Sequence, residues 1–137
     1  MPQSAGWALQ TSIYQALTGD AGLVALLSGP NVFDGPPRDV AYPFVTFGQS
    51  TARDWSTSTE DGEEHIVTLH VWAQGGSRHL AQAIVNAIRR VLHGSALPLS
   101  DYRLVNIRQE FCETRREPER EIVHGIVRFR AVTEKAI

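Results

Sequence analysis

The chain has 137 residues, 42% of them hydrophobic and 20% charged, with a formal net charge of −2, which is the size and composition of one globular domain able to bury its own core without disulfide or metal staples. No apolar run approaches the roughly 20 residues that cross a bilayer, and Met1 to Gly6 lacks the basic and apolar blocks of a signal peptide, so the expectation is a protein made and kept in the cytoplasm with no membrane partner. The near-neutral charge argues against a dedicated nucleic-acid binder, whose affinity comes from clustered Lys and Arg, and the single cysteine, Cys112, excludes an internal disulfide and a cysteine-based zinc cluster.

From Trp7 to Leu17, the residues Leu9, Ile13 and Leu17, with Ala16 beside them, recur at helical spacing, and Gly19 ends that helix. Asp20 is placed to cap a second short helix through Leu27, whose stripe of Leu23, Leu26 and Leu27 stops at Ser28, Gly29 and Pro30. A short extended piece, Asn31 to Asp34, leads into Gly35, Pro36 and Pro37, which read as a connector. Pro43 then opens a strand, Phe44 to Ser50, and a second strand runs from His65 to Trp72. The polar stretch Arg53 to Glu64 between them, with Asp61-Gly62, predicts a hairpin with a long exposed tip.

After Gly75 and Gly76, Ser77 is a plausible N-cap for the strongest helix, with Leu80, Ile84, Ile88 and Val91 on one side, Ala81, Val85 and Leu92 alongside, and Gly94 as the stop. Two more strands follow, Tyr102 to Phe111 and Ile122 to Val132, joined by the charged segment Glu113 to Glu121, in which Pro118 suits a turn. The order of elements predicts a single domain over 1–137, of class α+β. It is a mainly antiparallel four-stranded sheet of two long hairpins with two to three helices packed on one face.

Catalytic and metal signatures are missing. Gly75-Gly76 before Ser77 offers backbone amides at a helix start, but without a surrounding GxGxxG or Walker pattern it reads as a plain strand-to-helix turn. The acidic cluster Glu60, Asp61, Glu63 and Glu64 lacks the alternating spacing of a calcium loop and reads as solvated. Cys112 reads as a half-buried strand residue, since no base can be assigned to it. The histidines at 65, 70, 79, 93 and 124 form no HExxH, though His70 and His124 lie in strands that might meet across the sheet. The expectation is no catalytic residue, no cofactor and no metal.

Alternation along the strands is more informative. Val67, Leu69 and Val71 point one way and Ile66, Thr68, His70 and Trp72 the other; Val123, Val127, Phe129 and Ala131 oppose Ile122, His124, Ile126, Arg128, Arg130 and Val132. Two or three helices cover only one face of a small sheet, so Ile66, His70, Trp72, Ile122, Ile126 and Arg128 are candidate subunit-interface residues on the other. Scattered apolar residues are common on surfaces, and that is the bland alternative.

The pattern resembles the phage tail-completion family, and in particular the tail terminators of tailed phages and gene transfer agents. The residues that carry the resemblance span nearly the whole chain. They are Ile13 and Leu17; Val32-Phe33-Asp34; Pro43-Phe44-Val45-Thr46-Phe47-Gly48; Asp61-Gly62; Leu69-His70-Val71-Trp72; Ala81, Ile84 and Ile88; and His124-Gly125-Ile126-Val127-Arg128-Phe129-Arg130-Ala131. The resemblance implies a non-enzymatic virion protein at the head-tail junction. It would assemble as a homo-oligomeric ring, with a hexamer expected, that caps the tail tube protein, stops tube growth and docks the head completion (stopper) protein. DNA would pass through without specific binding. The hairpin tips are expected to reach the tube, neck or lumen, with Arg53, Trp55, Arg115, Arg116 and Arg120 as the contact residues; for Arg115, Arg116 and Arg120 the alternative, and the favoured one, is local pairing with Glu113, Glu117, Glu119 and Glu121. Two rival readings are an adaptor or RNA-binding module that stacks bases on Phe129 or Trp72, and a small hydrolase or transferase using His70 and His124.

Overall fold

A computed structural model describes residues 4–75 and 78–136. The expected cap Ser77, and Gly76 before it, lie outside the described residues. Helix α1 (Ala5–Thr18) starts at Ser4, whose hydroxyl accepts from the Trp7 amide, and ends at Gly19. Helix α2 (Ala21–Leu27) starts at Asp20, whose carboxylate accepts from the Leu23 amide at 2.9 Å, and stops where Ser28 turns left-handed. Each cap satisfies an amide that the helix itself leaves without a partner. Helix α3 (Arg78–Leu92) buries Ala81, Ile84, Val85, Ala87, Ile88 and Leu92, the side that its 3.6-residue periodicity picks out.

The sheet has five strands in the order β1-β2-β3-β5-β4. They are β1 (Val32–Phe33), β2 (Phe44–Asp54), β3 (Gly62–Gln74), β4 (Tyr102–Glu117) and β5 (Ile122–Lys135). Two antiparallel hairpins, β2-β3 and β4-β5, join along an antiparallel β3-β5 seam that runs from Gly62↔Glu134 to Gln74↔Ile122. The expected four-stranded antiparallel sheet needs one correction. The extended piece after α2 is a fifth strand, parallel to β2, with Val32 opposite Val45, and the Val45 amide donates to the Asn31 carbonyl at 2.9 Å. The piece is extended as expected; what the sequence does not signal is its pairing with the free edge of β2, which has a tertiary cause.

The strands are also longer than periodicity suggests. β2 continues to Asp54 and β4 to Glu117, so the connections shrink to residues 55–61 and 118–121. Arg53, Arg115 and Arg116 are therefore strand residues and not tip residues; Arg53 sits opposite Glu64, Arg115 opposite His124 and Arg116 opposite Val123. Backbone pairing to β3 and β5 holds these charged stretches extended, because an edge strand tolerates charge on its wet side. The two connections lie at opposite ends of the sheet: the Lys135 amide donates to Asp61 at one end, and the Gly75 amide donates to Glu121 at the other.

The core lies between the helices and one face of the sheet. Leu9, Ile13 and Leu17 of α1, Leu23 and Leu27 of α2, and Ile84 and Ile88 of α3 pack with Leu69, Val71, Val127 and Phe129. Each large side chain taken out of water there contributes about 1.5–3 kcal/mol. Arg90 on α3 ties α2 to the layer through an ion pair to Asp20 at 2.7 Å.

Candidate interaction face

The second face of β3 and β5 carries Glu64, Ile66, Thr68, His70 and Trp72 against Ile122, His124, Ile126, Arg128 and Arg130, as the alternation predicts. Among the described residues no helix packs on it. The side chains cover one another instead. Phe44, Trp72 and His124 stand in one row across three strands, since Phe44 is opposite Trp72 and Trp72 opposite His124. The Trp72 and His124 rings stack at 4.0 Å and 7°, and the Phe44 ring lies 6.3 Å from Trp72 at 24°. The indole Nε1–H donates to Thr46 Oγ1 at 3.1 Å, and the Arg120 guanidinium sits 5.9 Å above the ring.

His70 and His124 do meet across the sheet, His70 Nδ1 lying 2.7 Å from His124 Nε2. One nitrogen donates and the other accepts, so at least one ring is neutral. Burial pushes both imidazoles below their ordinary value; Arg128 pushes His70 further, and His70 itself pushes His124 further, with Glu117 and Glu113 pulling His124 back up. The His70 ring lies over Gly48, where a Cβ would collide with its Nε2 and Cδ2 atoms.

Toward the other end, Glu64 bridges Arg53 and Arg130, each 2.5 Å away. Arg130 first, and then Arg53, hold its carboxyl below the usual range. Both guanidiniums also lie over the Trp55 ring, at 5.2 and 5.3 Å. On β4, the exposed Phe111 ring is covered by Arg128 at 4.9 Å. The uncovered face is a lattice of rings and guanidiniums over a few half-buried aliphatic side chains.

The family profile described as "Tail completion protein gp17" matches residues 11–134. The chain belongs to the phage tail completion family. A curated relative, the tail completion protein gp17 of Bacillus phage SPP1, is 25% identical over 123 residues, covering 90% of each chain. Among solved structures, a chain of the virion of a native gene transfer agent particle superposes with a TM-score of 0.87 at 31% identity, over 97% of this chain and 99% of that one. The SPP1 gp17 structure superposes with a TM-score of 0.64 at 24% identity, over 93% and 89% of the two chains.

In this tail completion protein, five of the six residues expected at the interface, Ile66, His70, Trp72, Ile126 and Arg128, are half-buried on the uncovered face. The sixth, Ile122, is only 3% exposed, because it is already packed within the chain beside the 118–121 turn, and it has almost no surface to offer. Phe129 is fully buried on the helix side, and the faces of Trp72 are occupied by His124, Phe44 and Arg120, so the base-stacking platform of the RNA reading is absent from these two residues. Of the tip residues, Trp55 opens the 55–61 connection; Arg120, in the other one, pairs with Glu117 at 3.7 Å. The Gly75 amide is already bonded to Glu121, so it is not free for an anion. Cys112 is exposed, not half-buried, since it faces an open groove between α3 and the edge strand β4.

Two features are missing from the sequence-based expectations. His65 is buried on the core side and shares a 2.9 Å hydrogen bond with Thr133; its position among Val67, Leu69 and Val71 in the alternation was the available signal. The other is the outer side of α1, where Trp7 is 51% and Tyr14 42% exposed. From Ser4 to Phe33 the only charged residue is Asp20, and Arg90 pairs with it.

Proposed function

We propose that this chain is a ring-forming subunit, six copies to the ring, that caps the tail tube, stops its growth and joins it to the head-side connector. Its action is by shape and interface complementarity, without chemistry. Family membership and the match to a chain of a gene transfer agent virion support the class. The observation that carries the finer reading is the sheet face left without helices, where Ile66, Ile126 and Arg128 are only half-buried.

A subunit of a closed ring uses two different surfaces for its two neighbours. One is the uncovered sheet face. The other is the outer side of α1, where Trp7 and Tyr14 stand seven residues apart, two turns along the same side. Exposed aromatics on a helix without charge have the composition of an interface centre, from which charged residues are depleted. The two connections, at opposite ends of the sheet, then provide the axial contacts, one with the tube and one with the head completion protein. With a net charge of −2 on each chain, the ring lets duplex DNA pass without holding it by counterion release.

Mixing the purified chain with tail tubes assembled without it tests the reading, with tube length and end-bound density read by electron microscopy. The expected result is one ring at one end and arrested extension. Tubes that keep growing, with no chain at either end, overturn it.

A further inference from the structure

We infer that the His70–His124 pair is an acid-labile latch on the uncovered face, which a second proton opens, releasing Trp72 from its place between β2 and β5. The bond between the rings requires one nitrogen with a proton and one without. The neutral pair and the singly protonated pair both satisfy this, but the doubly protonated pair has two N–H groups in opposition and two cations in contact. At 2.7 Å between nitrogens that arrangement cannot persist.

Charged groups from several elements surround the pair. Glu113 and Glu117 of β4 act on His124, together with Arg115 of the same strand, whereas among the described residues the charge acting on His70 is that of Arg128 of β5. Arg120 of the 118–121 turn lies over the neighbouring indole. β2 contributes the uncharged Phe44 and Thr46 beside Trp72 and Gly48 beside His70. A ring cation on His124, stacked on Trp72, is favoured by the two carboxylates and opposed by Arg115 and by His70, so the first proton is shared between the two rings. The second proton must enter a pair that already carries one cation, with Arg128 adding to the repulsion at His70.

Little room exists for a quiet escape. The Gly48 backbone blocks His70 on one side, and His124 is stacked on the indole at 4.0 Å. Separation of the two rings is thus transmitted to Trp72, whose hydrogen bond to Thr46 links β3 to β2. The latch lies inside one chain and does not depend on ring assembly.

The test uses the full chain with Trp7→Phe and Trp55→Phe, so that Trp72 is the sole indole. Its emission, the imidazole NMR signals and far-UV circular dichroism are followed from about pH 7.5 to about 4.5, across the ordinary imidazole range. The expected result is a two-step titration of His70 and His124, a shift of Trp72 emission with the second step, below the ordinary imidazole value, and unchanged circular dichroism. His70→Asn and His124→Gln, made separately, each abolish the emission step; if one variant does not fold, the other carries the comparison. Independent titration of the two rings, an emission step that survives either substitution, or loss of secondary structure together with the emission step each overturns the latch.

Discussion

Gly48→Ala is the sharpest probe of the histidine pair. The backbone at Gly48 lies outside the left-handed region, so alanine is conformationally allowed, and the obstacle is the His70 ring against which the new Cβ would press. Relief requires the ring to swing away from His124. That forfeits a hydrogen bond worth about 0.5–1.5 kcal/mol and forces an off-rotamer side chain at about 0.5–1.5 kcal/mol. Against this, replacing glycine restricts the unfolded chain and returns about 0.4–1 kcal/mol. The net expectation is a loss of about 1 kcal/mol, which at ordinary urea sensitivity lowers the midpoint by about 0.3–1 M. In a His70→Ala background the obstacle is gone, and Gly48→Ala should stabilise by about 0.4–1 kcal/mol, giving a coupling of about 2 kcal/mol between the two positions. Urea denaturation of the four proteins closes the cycle. Equal destabilisation by Gly48→Ala in both backgrounds would refute the reasoning, because the clash would then not be with His70.

Stability should fall as pH drops below the ordinary imidazole value. His65, His70 and His124 all have lowered folded-state values, mainly through burial. The unfolded chain therefore takes up protons first, and the loss continues until the folded rings titrate too; thermal melts across that window measure it. A further loss is expected at lower pH as Glu64 and Asp20, held down by Arg130 and Arg90, are protonated. Thr133→Val should cost about 1–3 kcal/mol in chemical denaturation by leaving the buried His65 nitrogen without its partner. Gly125→Ala places a Cβ 3.2 Å from both Val71 and Val85, and this overpacking should cost about 1–3 kcal/mol. Ile126→Asp and Trp7→Ala should leave a folded monomer that fails to assemble on tubes, as scored by sedimentation with tubes. Trp72→Ala is a poorer assembly probe because its bond to Thr46 and its stacking on His124 serve the fold itself.

Much of the fold is legible because burial on the helix side imposes regular periods. Leu9, Ile13 and Leu17 repeat at helical spacing, and Val67, Leu69 and Val71 alternate with Ile66, Thr68, His70 and Trp72, so helix and strand identity and the two sheet faces follow from the order of residues. Strand ends are not legible in the same way. Arg53, Arg115 and Arg116 look like loop residues, yet their backbones are held by partners far along the chain, Glu64, His124 and Val123. Strand β1 was legible as an extended piece, but its pairing depends on the free edge of β2 and on burial of Val32 in the core. Alternation grouped Ile66, His70, Trp72, Ile126 and Arg128 on the face opposite the core but could not show that Ile122, on the same face, is already covered. The meeting of His70 and His124 was anticipated from their strands, whereas the Arg53-Glu64-Arg130 bridge over Trp55 depends on register, which residue type does not encode.

Cryo-electron microscopy of particles assembled with an epitope-tagged copy of this chain addresses the central claim most directly. The account predicts tagged density as a closed ring where the tail tube meets the head-side connector, with the α1 side of each subunit against the uncovered sheet face of the next. Mature particles with intact tails and no copy of the chain at that junction would contradict it.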